Sequence, residues 1–139
     1  MKPDGMTICA SGYGPQETMD RLAAAVTKRG ITILVRIDHA AAAAKVGLAL
    51  RPTEVMIFGN PRAGTPLMQA VQTIGIDLPL KALVWQDEGG QTWLAYNDPT
   101  WVADRHDAVA GNDRLLAAMN DALAAIAKEA TTRVTGDAS

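Results

Sequence analysis

Apolar and polar positions divide the first part of the chain into two strands and two helices. A short apolar run over Met6–Ala10 predicts a first strand. Apolar residues then recur at three- and four-residue spacing over Pro15–Lys28, which predicts a helix. Over Ile31–Ile37, β-branched apolar residues occupy every second position, as in a half-buried strand. Asp38 follows at once and can cap a short helix made of the alanines at 40–44.

The middle of the chain predicts a third strand and a short helix. The run Glu54–Phe58 follows a proline and is rich in large apolar residues, which favours a strand. Gly64, Thr65 and Pro66 then have the pattern of a helix start. Thr65 would be the cap and Pro66 the first helical residue, where its missing N–H would have no partner.

A hairpin follows. The segments Leu80–Gln86 and Gln91–Tyr96 flank the turn sequence Asp-Glu-Gly-Gly, whose glycines supply the positive φ angles that such a turn needs. Trp85 and Trp93 lie on the two strands, so they can pack against each other across the hairpin. The alternatives for these tryptophans are an aromatic wall for a planar ligand or a dimer interface.

Two helices are predicted after the hairpin. A short one begins at Asp98-Pro99 and ends at about His106, and a long one begins near Asn112 or Asp113. The long helix has a single apolar stripe, as expected of a helix that packs on a core. From Thr131 the sequence is small and polar and is expected to fray. We therefore predict one domain over residues 1–130 and a frayed tail over 131–139.

The order of elements decides the predicted fold class. The early alternation of strands and helices is compatible with a parallel α/β sheet, but the second and third crossovers are very short and the last two strands form a hairpin. We predict an α+β fold of order β-α-β-(short α)-β-(short α)-β-β-α-α. Its sheet is mainly antiparallel, and the first and last helices cover one face of that sheet.

Composition narrows the class of partners. The net charge is −2, from 13 basic and 15 acidic residues, so the chain lacks the basic balance typical of nucleic-acid-binding proteins. No segment approaches the roughly 20 apolar residues that span a bilayer, and we predict no membrane partner and a cytoplasmic location. Cys9 is the single cysteine, which excludes an intramolecular disulfide and a cysteine metal site.

The strongest candidate for a binding site is the segment from Gly59 to Thr65. It lies between a strand and the predicted helix start, where free N–H groups attract anions. Asn60 and Gly64 belong to this segment, and Arg62 could add a two-pronged donor to a carboxylate or phosphate. Thr65 stands where a nucleotide-binding loop needs lysine, which excludes that class of site. The alternative is a tight turn and a helix cap with a solvated Arg62.

The two histidines are the other candidates. His39 follows Asp38 at a predicted helix start and could act as a base, a metal ligand or a haem ligand. Its alternative role is to pack the helix against the sheet. His106 lies in an Asp-Arg-His-Asp cluster, which a solvated charged helix end explains more simply than a metal site does. We assign no metal site and no catalytic residue, and the sequence does not identify a cofactor.

Several motifs taken together identify a family resemblance. The segments are Asp38-His39 with its alanine run, Leu50-Arg51-Pro52-Thr53-Glu54, Phe58-Gly59-Asn60-Pro61, Ala63 to Gln69, Leu78-Pro79-Leu80-Lys81 and Tyr96-Asn97-Asp98-Pro99. Together they resemble a bacterial and archaeal family known as domain of unknown function 302, over roughly residues 6 to 130. The resemblance implies a fold similar to half of a TATA-binding protein, without established DNA binding, and it implies a homodimer.

These observations lead to one functional hypothesis and two alternatives. We expect a non-enzymatic ligand-binding or interaction module, because the sequence has turn and cap motifs but no converging nucleophile, base and orienting group. Its pocket would take a small anion or another small molecule, held by Asp38 and His39 together with Asn60, Arg62, Gly64 and Thr65. The first alternative is a small enzyme with His39 as general base and Asn60 stabilising an anion. The second is haem or metal binding through His39 or His106.

Overall fold

The computed structural model describes residues 2–134 and has the predicted class and order of elements. Five strands and five α-helices are joined by short loops, and a 3-10 helix, Gln72–Ile76, follows the third α-helix. In chain order the elements are β1 Met6–Ser11, α1 Pro15–Lys28, β2 Thr32–Asp38, α2 His39–Lys45, β3 Thr53–Gly59, α3 Pro61–Ala70, β4 Leu80–Gln86, β5 Thr92–Asn97, α4 Pro99–Arg105 and α5 Asp113–Thr131.

The five strands form one antiparallel sheet in the order β1-β5-β4-β3-β2. The predicted hairpin is β4 and β5, in which Trp85 and Trp93 are direct cross-strand partners. Its turn is fastened by Asp87, whose carboxylate accepts hydrogen bonds from the Gln91 backbone N–H at 2.9 Å and from the Trp93 Nε1–H at 2.8 Å. The hydrogen bond from Trp93 is the main reason that the pKa of Asp87 lies below its ordinary value.

One face of the sheet, which we call the covered face, is packed under α1 and α5 as predicted. Its central residues, Met56, Phe58, Ala82, Val84 and Leu94, are all buried. They form one hydrophobic cluster with residues of the two helices, among them Met19, Leu22, Val26, Leu123 and Ile126. This cluster is the main core because its largest side chains lose essentially all contact with water.

Alternate residues of the same strands point to the opposite side of the sheet, which we call the open face. From the strand register, its apolar residues are Met6, Ile8 and Ala10 of β1, Trp93 and Ala95 of β5, Leu83 and Trp85 of β4, Val55 and Ile57 of β3, and Val35 and Ile37 of β2. None of them belongs to either hydrophobic cluster of the described residues. Ala95 is the one buried residue among them, so the open face is apolar but lies mostly outside the core.

The two outer strands of the sheet differ in regularity. β1 pairs with β5 in unbroken register from Met6 to Ser11. β2 pairs with β3 through a bulge, because Ile33 and Val35 face consecutive residues of β3 and Leu34 is the extra residue between them. Leu34 is 56% exposed.

The start of α3 differs from the prediction. The helix begins at Pro61 and not at Pro66, and its cap is Asn60 and not Thr65. The Asn60 Oδ1 accepts a hydrogen bond from the Arg62 backbone N–H at 3.0 Å, and Pro61 occupies the first helical position. Two overlapping start signals were present in the sequence, and the earlier one nucleates the helix, so that Pro66 falls inside it.

The residues just after α5 are attached to the loop that precedes α1. The Gly12 backbone N–H donates to the Thr131 carbonyl at 2.8 Å, and the Val134 N–H donates to the Tyr13 hydroxyl oxygen at 3.2 Å. Thr131 is itself buried. The first residues of the predicted tail, 131–134, therefore contact the loop before α1, and residues 135–139 lie outside the described part of the chain. The frayed tail stays a prediction.

Candidate functional site

A cavity of about 310 Å³ opens beside the first turns of α3. Its walls come from four segments distant in sequence: the start of β2, the first two turns of α3 with the residues before them, the segment 78–80 that leads into β4, and α5. The lining residues are Thr32, Leu34, Gly59, Asn60, Pro61, Ala63, Gly64, Thr65, Met68, Leu78, Pro79, Leu80 and Met119. None of these residues carries a charge, and most of the lining surface is apolar.

Asn60 builds the wall of this cavity by fixing where α3 begins. Besides its side-chain bond to Arg62, its carbonyl oxygen accepts hydrogen bonds from the N–H groups of Ala63 at 2.9 Å and Gly64 at 3.0 Å. Pro61 has no N–H to offer. The backbone N–H groups of residues 62–64, which were predicted to attract an anion, are therefore already used within the helix start.

A glycine and two methionines shape other parts of the cavity wall. A Cβ atom on Gly59 would lie 3.1 Å from the Cβ of Pro79, closer than a relaxed contact, so a glycine lets β3 approach the 78–80 segment. Met68 and Met119 line the same cavity from α3 and α5. Their unbranched side chains can adjust to the shape of an apolar guest.

The predicted site residues fall into two groups. Asn60, Gly64 and Thr65 line the apolar cavity, whereas Arg62 is exposed and is not among its lining residues. Asp38 and His39 lie at the opposite end of the sheet, since Thr32 of β2 pairs with Gly59 and Asp38 pairs with Glu54. Six residues of strand separate the two ends of β2, which corresponds to about 20 Å. The six residues predicted as one site therefore do not come together.

Asp38 borders a second, more polar cavity of about 590 Å³. Its carboxylate also caps α2 as predicted, accepting a hydrogen bond from the Ala41 N–H at 2.9 Å. Arg36 lies in the same cavity and pairs with Glu54 at 3.0 Å and with Asp20 at 3.4 Å. The hydrogen bond to Glu54 is the main reason that the pKa of Arg36 is raised. His39 is exposed and lines neither cavity.

His106 is the polar residue whose environment the sequence did not predict. Its Nε2 lies 2.5 Å from the Asp77 Oδ2, and its Nδ1 lies 2.9 Å from the Thr73 hydroxyl. Only 10% of the His106 side chain is exposed, and Arg105 binds the same carboxylate at 2.8 Å. The hydrogen bond from His106 is the main cause that lowers the pKa of Asp77.

This cluster of Thr73, Asp77 and His106 holds two separate segments of the chain together. Asp77 follows the 3-10 helix and His106 follows α4, so their contact joins two segments that also share the second hydrophobic cluster, through Ile74 and Val102. A hydroxyl, an imidazole and a carboxylate in sequence can also support nucleophilic chemistry. However, none of Thr73, Asp77 and His106 lines either of the two cavities described above. Because only 10% of the His106 side chain is exposed, the solvated helix end predicted for this residue is wrong.

Neither a cluster of metal ligands nor a membrane-spanning helix is present in the part of the chain that the structure describes. Within residues 2–134, no three or more histidine, cysteine, aspartate and glutamate side chains are grouped so that they could hold a metal ion. Cys9 is half-buried, and burial raises the pKa of its thiol. Among the helices of the described residues, none has both the length and the apolar character needed to cross a bilayer.

Sequence comparison places most of the chain in one family. The family model described as "Domain of unknown function DUF302" matches residues 8–126. Two proteins named as fluoride-specific ion channels, FluC 1 of Brucella suis and FluC 2 of Brucella melitensis, are each 45% identical to this chain over 115 residues. The matched segment is 83% of this chain but 45% and 43% of those relatives, so the chain spans less than half of their length.

Structural comparison agrees on the fold. A crystal structure of an uncharacterised conserved DUF302 protein from Bacillus stearothermophilus superposes with a TM-score of 0.81. The superposition covers 92% of this chain and 99% of that one at 21% sequence identity, which is evidence for the fold alone. The family match over residues 8–126 shows that the chain belongs to the DUF302 family.

Proposed function

We propose that this chain is a non-enzymatic binding module that holds a small, mainly apolar molecule in the cavity beside α3. The observation that carries the proposal is the lining of that cavity, which is uncharged, mostly apolar and assembled from four separate segments of the chain. Ligand sites commonly combine such a lining with a few polar groups that orient the ligand.

The size of the cavity suggests the size of the ligand. An apolar cavity of about 150 Å³ is enough to bind benzene. The cavity of about 310 Å³ is roughly twice as large, so it suits a bicyclic ring or an aliphatic chain of similar volume. The two methionines favour a site that tolerates several related shapes.

The polar atoms of the lining suggest how such a ligand would be oriented. Thr32, Asn60 and Thr65 are the polar residues of the lining. Asn60 uses its Oδ1 as the helix cap, which leaves its amide N–H groups as donors. We therefore expect the ligand to carry one or two polar atoms and no full charge, because a buried charge without a partner is costly. The proposed ligand is thus uncharged, whereas the sequence led us to expect a small anion or another small molecule.

The enzyme and haem alternatives have less support. A mechanism with His39 as base and Asn60 as anion stabiliser needs both residues beside the reacting bond of the substrate. His39 follows β2 and Asn60 follows the antiparallel β3, so the two residues lie at opposite ends of the sheet. For haem or metal binding, His106 would have to give up its contacts to Thr73 or Asp77, and His39 lines neither cavity. The cytoplasmic location expected from the sequence stays a prediction.

The channel relatives favour a second candidate function. Because the matched segment is less than half of each FluC relative, the rest of those proteins lies outside the similarity. We propose that the DUF302 segment acts there as an accessory module and that this chain serves a fluoride channel in the same way. In that case fluoride, or a compound that accompanies it, would be the ligand to test.

The experiment is a thermal-unfolding panel with matched variants. Its compounds are 2-naphthol, indole, decanol, phosphate, acetate and sodium fluoride. At about 100 times its dissociation constant, a ligand of the folded state stabilises by about 2.7 kcal/mol, which shifts the melting temperature measurably. We expect the neutral apolar probes to stabilise the protein. Ala63→Phe, which fills the cavity, should abolish that shift, and Ala44→Phe on the exposed side of α2 should leave it unchanged.

Three outcomes would contradict the apolar pocket. One is stabilisation by phosphate or acetate alone, and another is an apolar-probe shift that survives Ala63→Phe. The third is the absence of any shift with the three apolar probes. A shift with fluoride alone would favour the accessory role beside a fluoride channel.

A further inference from the structure

We propose that the ligand of the cavity beside α3 is an aliphatic chain of about 12 carbon atoms that enters with its apolar end and leaves a neutral polar head group at the opening. This inference rests on the proposed function, because it concerns the same cavity. It adds the class of the ligand and the direction in which the ligand lies. The supporting observations are the exposure, the chemistry and the volume of the lining.

The polar and apolar residues of the lining differ in exposure. The exposed part of the lining, which we call the mouth, contains all three polar residues, Thr32, Asn60 and Thr65, together with Leu34 and two prolines. The part that we call the floor consists of four apolar residues that are buried or half-buried and pack in the second hydrophobic cluster, namely Met68, Leu78, Leu80 and Met119. A molecule with one apolar end and one polar end matches this difference.

The chemistry of the lining favours a chain over a ring. No aromatic side chain of residues 2–134 belongs to the lining. An aromatic ligand gains most beside other aromatic rings, whose edges and faces it contacts in specific geometries. Leucine and methionine side chains offer contact area instead, which a methylene chain uses equally well. Met68 and Met119 are also unbranched, so they can follow a chain that changes its conformation.

The volume of the cavity limits the length of the chain. An apolar cavity of about 150 Å³ is enough for the six carbon atoms of benzene. In the same proportion, the cavity of about 310 Å³ has room for roughly 12 carbon atoms. Further methylene groups would extend past the mouth into water and would gain nothing from burial. Affinity should therefore rise with chain length and then stop rising.

Asn60 supplies hydrogen-bond donors for the head group. Its Oδ1 accepts the Arg62 backbone N–H at 3.0 Å, which leaves the amide N–H groups of the side chain as donors. A carbonyl head group can only accept, whereas a hydroxyl head group can accept and donate. No charged residue belongs to the lining, so a carboxylate or ammonium head group would have no partner there. A hydroxyl or carbonyl head group fits these atoms.

The first experiment measures dissociation constants of the full chain for straight-chain alkanols from hexanol to tetradecanol by thermal unfolding. The dissociation constant should fall about fourfold for each added methylene group up to about 12 carbon atoms, and then stay constant. Met68→Ala removes side-chain volume from the floor and should move this limit to longer chains. Gln69→Ala, at an exposed neighbour outside the lining, should leave the limit unchanged. Far-ultraviolet circular dichroism checks that both variants are folded.

The second experiment tests the direction of the chain with Asn60→Asp. Aspartate caps a helix as well as asparagine does, so α3 keeps its start while the side chain loses its amide donors. The affinity for 2-undecanone, whose carbonyl needs a donor, should fall about tenfold. The affinity for 1-undecanol should fall much less, because its hydroxyl can donate to the new carboxylate. Equal losses for the two compounds would overturn the placement of the head group beside Asn60.

The failure of this inference can be told apart from the failure of the proposed function. If 2-naphthol and indole stabilise the protein, Ala63→Phe abolishes their effect and alkanol affinity does not depend on chain length, the pocket stands and the chain ligand is excluded. Affinity that keeps rising up to tetradecanol, or a limit that Met68→Ala does not move, would also contradict the inference, because the cavity would not set the length. If neither the rings nor the alkanols bind, both proposals fail.

Discussion

The covered and open faces of the sheet are both apolar, yet only the covered face is a core. Adjacent residues of β3 show the difference. Phe58 is fully buried under the helices, whereas Ile57 points to the other side and belongs to neither hydrophobic cluster of the described residues. The strands are therefore rich in apolar residues on both sides, which departs from the alternation of a sheet with one solvated face. The open face is therefore an apolar surface that neither hydrophobic cluster of the described residues includes.

The largest expected effect comes from truncating the covered face. Phe58→Ala should lower the free energy of unfolding by about 3–5 kcal/mol, because it removes a fully buried aromatic ring and leaves a cavity. Its neighbour Ile57→Ala should cost about 1 kcal/mol at low protein concentration, where the open face is solvated. Urea denaturation followed by circular dichroism measures both values. Equal losses for the two variants would show that the open face is covered within one chain.

A smaller effect is expected at the histidines, which lie in different surroundings. His106→Ala should cost about 1–3 kcal/mol, because it leaves the partly buried Asp77 and Thr73 without their common partner. His39→Ala removes an exposed side chain and should change stability by less than about 0.5 kcal/mol. Urea denaturation at neutral pH tests this comparison.

The pH dependence of stability gives a second test of the contact between His106 and Asp77. The lowered pKa of Asp77 means that its ionised form is stabilised in the folded protein. This contribution is fully present above the ordinary carboxyl pKa of about 3.9 and is lost as the pH falls through the lower folded value. The difference between wild type and His106→Ala should therefore shrink below about pH 4. A difference that does not vary with pH would mean that His106 stabilises the fold by packing alone.

The smallest effects concern the helix caps. Asn60→Ala should cost about 1 kcal/mol, since the helix it starts packs against the second hydrophobic cluster through Leu67. Asp38→Ala removes an equivalent bond but should cost only a few tenths, because α2 buries none of its residues and can open alone. Thr65→Ala should be neutral, as Thr65 is not a cap. Urea denaturation gives the free energy of unfolding of each variant, and amide hydrogen exchange in α2 detects the local opening of that helix. A loss of stability with Thr65→Ala as large as that with Asn60→Ala would contradict the structure.

The elements of the fold were predictable because their signals are local. Alternation, caps, prolines and the Asp-Glu-Gly-Gly turn each act within a few residues, and the structure confirms the order they predict. The start of α3 was predicted wrongly because Asn60-Pro61 and Thr65-Pro66 are both valid helix starts by local rules. Which of them is used depends on contacts beyond the segment, among them the close approach of Gly59 to Pro79.

The candidate site was less predictable because it depends on which strand ends meet. The sequence places two strand-to-helix junctions in the chain, but antiparallel pairing of β2 with β3 sends them to opposite ends of the sheet. The cavity also needs Leu78 and Met119, whose separation from Asn60 in sequence gives no local signal. The same holds for His106, since its partner Asp77 lies 29 residues earlier in the chain.

The bulge at Leu34 has a consequence for the behaviour of the protein at high concentration. An apolar outer strand with free backbone groups can recruit further strands and grow into fibres. The extra residue bends the outer edge of β2 in its first half, so that another strand would find a regular ladder only over residues 35–38. Removing Leu34 would make Ile33 and Val35 adjacent and would straighten this edge, while the later side chains of β2 would keep their present sides of the sheet. The irregularity thus lets the chain keep an apolar outer strand while limiting unbounded assembly.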